Sequence, residues 1–136
     1  MICYMDSSVA LRIILNAGTV FTGFSRFEKI GASELLLIEC HRVLDRYRME
    51  NILTDQQLAA AKENLEILTG GMHVIEMTEA VKERARGTFP TIIGTLDAIH
   101  LATALLWRNE SSPITIASHD RQMNTCARAL KFEIIE

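Results

Sequence analysis

Residues 2–6 read Ile-Cys-Tyr-Met-Asp, and residues 114–120 read Ile-Thr-Ile-Ala-Ser-His-Asp. Each segment is a short apolar run followed by an acid, which predicts a buried strand with Asp6 or Asp120 just beyond its carboxyl end. Three further strands are predicted, at 29–32, 72–76 and 132–135. Stretches of helical periodicity separate these strands. The alternation predicts an α/β fold with a mainly parallel central sheet of four to five strands flanked by helices.

Six helices are predicted from apolar spacing, with Ser33, Thr54 and Thr78 as candidate N-caps. They cover 9–15, 34–49, 55–68, 79–86, 96–108 and 121–130. A weak additional helix is predicted over 19–28. No repeat, low-complexity tract or linker interrupts the pattern, so residues 1–136 are expected to form a single domain.

Composition limits the class of protein. With 49% hydrophobic and 23% charged residues among 136, the chain is neither disordered nor collagen-like. No apolar stretch approaches the ~20 residues of a membrane-spanning helix, and no signal peptide is evident, so a cytoplasmic location is expected. The three cysteines have no paired spacing and are interpreted as buried thiols rather than a disulfide or metal site. The net charge of −3 argues against nucleic-acid binding only if the acids do not form a metal site.

Four carboxylates have unusual positions. Asp6 and Asp120 follow strands, Asp97 lies in the first turn of a very apolar helix, and Glu39 lies along an apolar stripe. Each has a simpler explanation: an N-cap for Asp6 and Asp120, the helix dipole for Asp97, and the edge of the stripe for Glu39. Together, however, they predict an acidic pocket that needs a cation. All-oxygen ligands favour Mg²⁺ or Mn²⁺.

The residues around these acids resemble the PIN-domain ribonucleases, and most of all the VapC toxins of toxin–antitoxin pairs. The similarity rests on residues 4–8, 33–42, 95–104 and 117–123, of which 95–104 (Thr-Leu-Asp-Ala-Ile-His-Leu-Ala-Thr-Ala) is the most specific. It implies a three-layer sandwich with an acidic pocket for one or two Mg²⁺ or Mn²⁺ ions. The family's catalytic and metal-binding acids fall on Asp6, Glu39, Asp97 and Asp120.

The resemblance also implies an activity and partners. It implies a divalent-metal-dependent endoribonuclease that hydrolyses RNA phosphodiester bonds, and the toxin of a type II toxin–antitoxin module. The expected partners are an RNA substrate, a small antitoxin that covers the acidic pocket, and a second copy of the chain in a homodimer. Ser118 stands where the family more often has Thr. The short Gly94-Thr95 approach to the third acid differs from the longer polar loop of many members.

Several neighbours of the acids are candidates for supporting roles. Ser7 or Ser118 is expected to position metal ligands. Arg42 either orients Glu39 or lies on a solvated face, and Arg121 either contacts the RNA backbone or lies in solvent. For His100, a packed, hydrogen-bonded histidine near the site is favoured over a catalytic base. Phe24 and Phe27 are expected in the core, with a groove for a partner helix, lined also by residues 35–38, as the alternative.

Two other functions remain open from the sequence. One is a non-catalytic PIN-like module that binds RNA or protein. The other, less favoured, is a Mg²⁺-binding receiver-type signalling domain. A receiver should carry paired acids near its first strand and a lysine after its fifth, and neither is seen.

Overall fold

The computed structural model describes residues 1–16, 24–110 and 113–136. Within these ranges the chain forms five strands and six helices. The strands are β1 (Ile2–Met5), β2 (Lys29–Ser33), β3 (His73–Ile75), β4 (Ile114–Ala117) and β5 (Glu133–Ile135). The helices are α1 (Ser7–Leu15), α2 (Leu35–Met49), α3 (Asp55–Gly70), α4 (Glu79–Ala85), α5 (Thr95–Glu110) and α6 (Arg121–Ala129).

The strands form one parallel sheet in the order β3-β2-β1-β4-β5. The chain lays strands outward from β1 to β3 and then crosses over to β4, so the strand order reverses between β1 and β4. Ligands of open parallel sheets bind beyond the carboxyl ends of the strands at such a reversal. Asp6 and Asp120 follow the two strands that meet there. Receiver domains have the order 2-1-3-4-5, so the receiver interpretation is wrong.

Helices cover both faces of the sheet. Met5 belongs to a core shared with α1, α2 and α3, whereas Tyr4 and Ile116 belong to a second core shared with α5 and α6. Neighbouring residues such as Tyr4 and Met5 enter different cores because successive strand side chains point to opposite faces. Helix α4 packs on α5. The result is the predicted three-layer arrangement.

Helix α5 lies against β2 at Gly31. A Cβ atom at Gly31 would lie 2.4 Å from Cη2 of Trp107, so the indole ring occupies the space of a side chain. Trp107 is buried and also contacts Tyr4 and His73, with ring centroids 6.5 and 5.9 Å away. Glycine is therefore needed here for packing.

Most predicted elements agree with the structure, and Thr54 and Thr78 cap their helices as expected. Ser33 is not the N-cap of α2: it is the last residue of β2, its Oγ accepts from the Leu35 N–H at 3.1 Å, and Glu34 occupies the cap position. Thr54 Oγ1 accepts from the Gln57 N–H at 3.1 Å, and Gln57 Oε1 accepts from the Thr54 N–H at 2.9 Å. The weak helix predicted over 19–28 is wrong where it can be judged, because Phe24 and Phe27 bound a single turn closed by a 3.1 Å backbone hydrogen bond. Residues 19–23 lie outside the described ranges. No helix in the described part of the chain is both long and apolar enough to cross a bilayer.

Phe24 and Phe27 lie in the core that contains α1, α2 and α3 and are both 8% exposed. They therefore do not line a groove for a partner helix. The three cysteines are free and buried, as predicted. Burial raises the pKa of the Cys3 and Cys40 thiols to about 12.

Candidate active site

Asp6 follows β1 and is almost fully buried. Its Oδ1 caps α1 by accepting from the Val9 N–H at 3.3 Å, and it also accepts from the Ser8 hydroxyl at 2.6 Å. Its Oδ2 accepts from the Ser118 hydroxyl at 2.6 Å. An ionised carboxylate has about four lone-pair sites. The three donors therefore fix the carboxylate and leave Oδ2 able to take one more partner.

The loop between β4 and α6 carries the second acid. Asp120 is the N-cap of α6, and its backbone N–H donates to the Ser118 hydroxyl at 3.0 Å. Because that hydroxyl donates to Asp6, Ser118 links the two acids directly. The Ser8 hydroxyl makes a parallel link by accepting from the His119 N–H at 2.9 Å. Two buried or half-buried hydroxyls thus join the β1–α1 junction to the β4–α6 loop. The N-cap interpretation of both acids is correct, and it does not exclude a second role.

Asp97 lies in the first turn of α5 and is half-buried. Burial raises its pKa from an ordinary 3.8 to about 6, and the negative charge of Asp120 adds to the rise. Asp6 and Glu39 act in the same direction, while His100 opposes them. The other three acids chosen from the sequence therefore all lie within electrostatic range of Asp97.

Glu39 lies on the side of α2 that faces α5, and its side chain is 16% exposed. Its Oε1 is 2.5 Å from His100 Nε2, and His100 Nδ1 is 2.7 Å from the Tyr4 hydroxyl. The Tyr4 oxygen also accepts from the Ser33 N–H at 3.3 Å. Burial strongly raises the pKa of Tyr4. His100 is thus a buried, hydrogen-bonded histidine, the alternative favoured from the sequence.

Arg42 does not orient Glu39. Its guanidinium donates to Asp45 at 3.0 Å on the exposed side of α2, because Arg42 faces solvent while Glu39 faces α5. Arg121 is exposed next to Asp120. Of the two serines that follow Asp6, Ser8 donates its hydroxyl to Asp6, whereas Ser7 is half-buried and makes no such contact; Ser118 contacts Asp6 as predicted.

Residues 3–128 match the PIN domain family. The chain belongs to the PIN-domain family. No curated protein matches the sequence significantly.

Solved structures share the fold of this PIN domain. VapBC2 of Rickettsia felis, bound to a promoter DNA fragment, has a TM-score of 0.66 at 11% identity, covering 99% of this chain and 98% of its own. VapBC-1 of nontypeable Haemophilus influenzae has a TM-score of 0.66 at 14% identity, with 100% and 98% covered. VapC20 of Mycobacterium tuberculosis, described as a sarcin-ricin loop cleaving toxin, has a TM-score of 0.59 at 18% identity, with 90% and 93% covered.

The donors of this PIN domain suit a hard divalent cation. Carboxylate oxygens are the ligands preferred by Mg²⁺ and Mn²⁺. Asp97, whose pKa is raised by burial and by neighbouring negative charges, has the environment that a bound cation would relieve. Within the described residues, no three His, Cys, Asp or Glu side chains are already arranged as a metal site. The fit to the ion rests on the oxygen donors and the negative charge of the acids, not on a ready-made arrangement of ligands.

Three supporting residues of the PIN domain were not predicted. Tyr4 reads as an ordinary core residue of β1, and its hydroxyl reaches His100 across 96 positions of sequence. Ser8 fits a helix cap by residue type, whereas its hydroxyl in fact contacts both Asp6 and the His119 backbone. Asn124, 1% exposed, donates from Nδ2 to the Ser118 carbonyl at 2.9 Å and so holds the loop that carries Asp120. A buried asparagine on an amphipathic helix was the available signal for Asn124.

Proposed function

We propose that this PIN domain, spanning residues 1–136, is a divalent-metal-dependent endoribonuclease and the toxin of a type II toxin–antitoxin module. The observation that carries the proposal is that the acids meet beyond the carboxyl ends of β1 and β4: the Ser118 hydroxyl contacts both Asp6 and the Asp120 backbone, and the charges of Asp120, Asp6 and Glu39 help to raise the pKa of the half-buried Asp97. Family membership and the shared fold of VapC and VapBC structures support it.

In this proposal, Asp6, Asp97 and Asp120 hold one or two Mg²⁺ or Mn²⁺ ions. A bound ion would supply charge stabilisation at the phosphate and make water a better nucleophile near neutral pH. Glu39 either adds a ligand or orients the attacking water. Ser118 keeps one oxygen of Asp6 fixed through its 2.6 Å hydrogen bond.

RNA, an antitoxin and a second copy of the chain are the proposed partners. Arg121 is exposed beside Asp120 and offers a positive charge to the RNA backbone next to the acids. We propose that the antitoxin covers the acidic pocket, because VapBC structures of the same fold contain both a VapB and a VapC by name.

The catalytic proposal is tested by RNA cleavage with Mg²⁺ or Mn²⁺ added after EDTA treatment. The chain should cleave only with metal. Asp6→Asn and Asp97→Asn should each lower the cleavage rate about 100-fold or more, because each removes a proposed metal ligand. Each tenfold loss in rate corresponds to about 1.4 kcal/mol of lost transition-state stabilisation. Asp45→Asn is the matched control, because Asp45 is an acid on the exposed side of α2. Cleavage that persists in EDTA, or in Asp97→Asn at the unmodified rate, contradicts the proposal.

The same experiment separates a nuclease from a non-catalytic module. A non-catalytic module would bind RNA and leave it intact with every metal. The toxin proposal is tested by inducing the chain in bacterial cells: growth should stop with the unmodified sequence and continue with Asp97→Asn at equal protein level. Equal growth of both strains contradicts the toxin role while leaving the nuclease activity to be judged by the cleavage assay.

A further inference from the structure

The Tyr4–His100–Glu39 contacts cross the molecule from the central strand to α2. Tyr4 and His100 are 0% and 1% exposed, so neither depends on water for its hydrogen bonds. The Tyr4 hydroxyl and His100 Nδ1 are 2.7 Å apart, and His100 Nε2 and Glu39 Oε1 are 2.5 Å apart. These are short, buried contacts, in which an unsatisfied donor or acceptor costs the most.

Hydrogen-bond accounting assigns a direction to this chain of contacts. The Tyr4 oxygen accepts from the Ser33 N–H at 3.3 Å and lies 2.7 Å from His100 Nδ1. At the other end, the Glu39 carboxylate oxygen can only accept, so His100 must carry a proton on Nε2. A neutral imidazole that accepts at Nδ1 carries its proton on Nε2. His100 then donates from Nε2 to Glu39 Oε1. The Glu39 carboxylate thus selects the histidine form with its proton on Nε2, and Tyr4, which accepts from the Ser33 N–H of β2, donates its hydroxyl proton to Nδ1.

Glu39 is engaged through one oxygen only. Oε1 contacts His100, and Oε2 has no hydrogen-bond partner among the described residues. The Glu39 charge still acts on Asp97, which places this carboxylate in the acidic cluster. A glutamate has three side-chain torsions, so without His100 its carboxylate would sample other rotamers at the site.

We propose that Tyr4 and His100 are positioning residues of the nuclease site, which hold Glu39 through Oε1 and keep Oε2 available to the reaction. This rests on the proposed nuclease function. Hydrogen-bonded partners behind functional side chains commonly contribute 10- to 100-fold in metal affinity or activity. Tyr4 lies in the core shared with α5 and α6, on the face of the sheet opposite to the core that includes α2, so the support for Glu39 comes from the other face of the sheet.

Two variants of His100 separate positioning from packing. The side-chain amide nitrogen of Gln lies as many bonds from Cα as His Nε2, so His100→Gln keeps a donor for Glu39. The side-chain oxygen of Asn lies as many bonds from Cα as His Nδ1, so His100→Asn keeps only the acceptor for Tyr4. With saturating Mn²⁺, His100→Asn should lower kcat about 10- to 100-fold with KM nearly unchanged. His100→Gln should retain most of kcat, although both variants remove a buried ring.

The histidine form is measured independently of activity. Long-range ¹H–¹⁵N spectra of the metal-free protein should show His100 with its proton on Nε2, and Tyr4→Phe should weaken that preference. If His100→Asn unfolds, Tyr4→Phe provides the kinetic test. A proton on Nδ1, or equal kcat losses in the Asn and Gln variants, would overturn the proposal.

The two proposals fail in different ways. If the unmodified chain cleaves RNA and His100→Asn has the same kcat, the positioning role is wrong and the nuclease stands. If the unmodified chain cleaves no RNA, the nuclease proposal is wrong. The NMR result then decides alone whether Tyr4 and His100 hold Glu39.

Discussion

Replacing Asp97 by Asn should make the metal-free protein more stable. Burial and three neighbouring carboxylates raise the pKa of Asp97 from 3.8 to about 6, so the folded state favours the protonated form. Stability from this group is fully present below pH 4 and is lost as the pH rises through 6. An amide cannot ionise, so Asp97→Asn should not suffer that loss.

The magnitude follows from the size of the pKa change. One pKa unit corresponds to about 1.4 kcal/mol, which sets an upper limit of about 3 kcal/mol at pH 8. Because Asp97 is only half-buried, solvent screening reduces this to about 1.5 kcal/mol. The first turn of α5 favours a negative charge by about 0.5 kcal/mol. We therefore expect Asp97→Asn to gain about 1 kcal/mol at pH 8, which is about 4 °C in Tm for a domain of this size.

The assay is thermal and urea unfolding in EDTA at pH 4 and pH 8. The two proteins should be equally stable at pH 4 and differ at pH 8. Asp45→Asn serves as the control and should show no gain, since Arg48 and Arg42 lower the pKa of Asp45. Adding Mg²⁺ should stabilise only the protein with Asp97 and close the gap. A variant that is no more stable than the unmodified chain at pH 8 would refute the electrostatic reasoning.

Two further substitutions and one labelling experiment test other parts of the structure. Gly31→Ala should destabilise the fold by about 1–3 kcal/mol in urea unfolding, because its Cβ would meet the buried Trp107 ring. Adding Trp107→Leu should recover part of that loss. A Gly31→Ala protein as stable as the unmodified chain contradicts the packing. Ser118→Ala should lower stability by about 1–2 kcal/mol, since it removes a hydrogen bond to Asp6 and the acceptor for the Asp120 N–H. It should also weaken Mn²⁺ binding in calorimetric titration. Unchanged metal affinity would show that Ser118 does not support the metal site. The thiols of Cys3, Cys40 and Cys126 should react with a disulfide reagent only after unfolding, because all three are buried. Burial also raises the pKa of Cys3 and Cys40 to about 12, which leaves almost no reactive thiolate. Fast labelling of the folded protein contradicts their burial.

The strands and helices were largely predictable because each carries its own local signal. Residues 114–117 form β4 as predicted, since a continuous apolar run between turn residues is typical of a buried parallel strand. Thr54 shows its capping role through the Gln three positions later. The turn at 24–27 was misread because phenylalanines spaced by three also fit a helix, and here both rings are held by tertiary packing.

The acids of the site were predictable, whereas their partners were not. Asp6 and Asp120 stand out because each follows an apolar strand. The partner of Glu39 is His100, 61 positions away, whereas sequence spacing offered the nearby Arg42 as one of two alternatives. Only the contact of Glu39 with His100 of α5 shows that Glu39 turns inward while Arg42 pairs with Asp45 at the surface. Local spacing cannot distinguish these two faces when both carry charges.

The hydrogen bond from Ser118 to Asp6 spans 112 positions of the chain. A polypeptide still growing on the ribosome holds Asp6, Glu39 and Asp97 long before β4 and the loop after it have been made. Such an unfinished chain lacks β4, one of the two strands that pair with β1, and the loop that carries Asp120. The four acids can therefore come together only after β4 and the loop behind it have been made, which leaves translation products that stop before Asp120 without the assembled cluster.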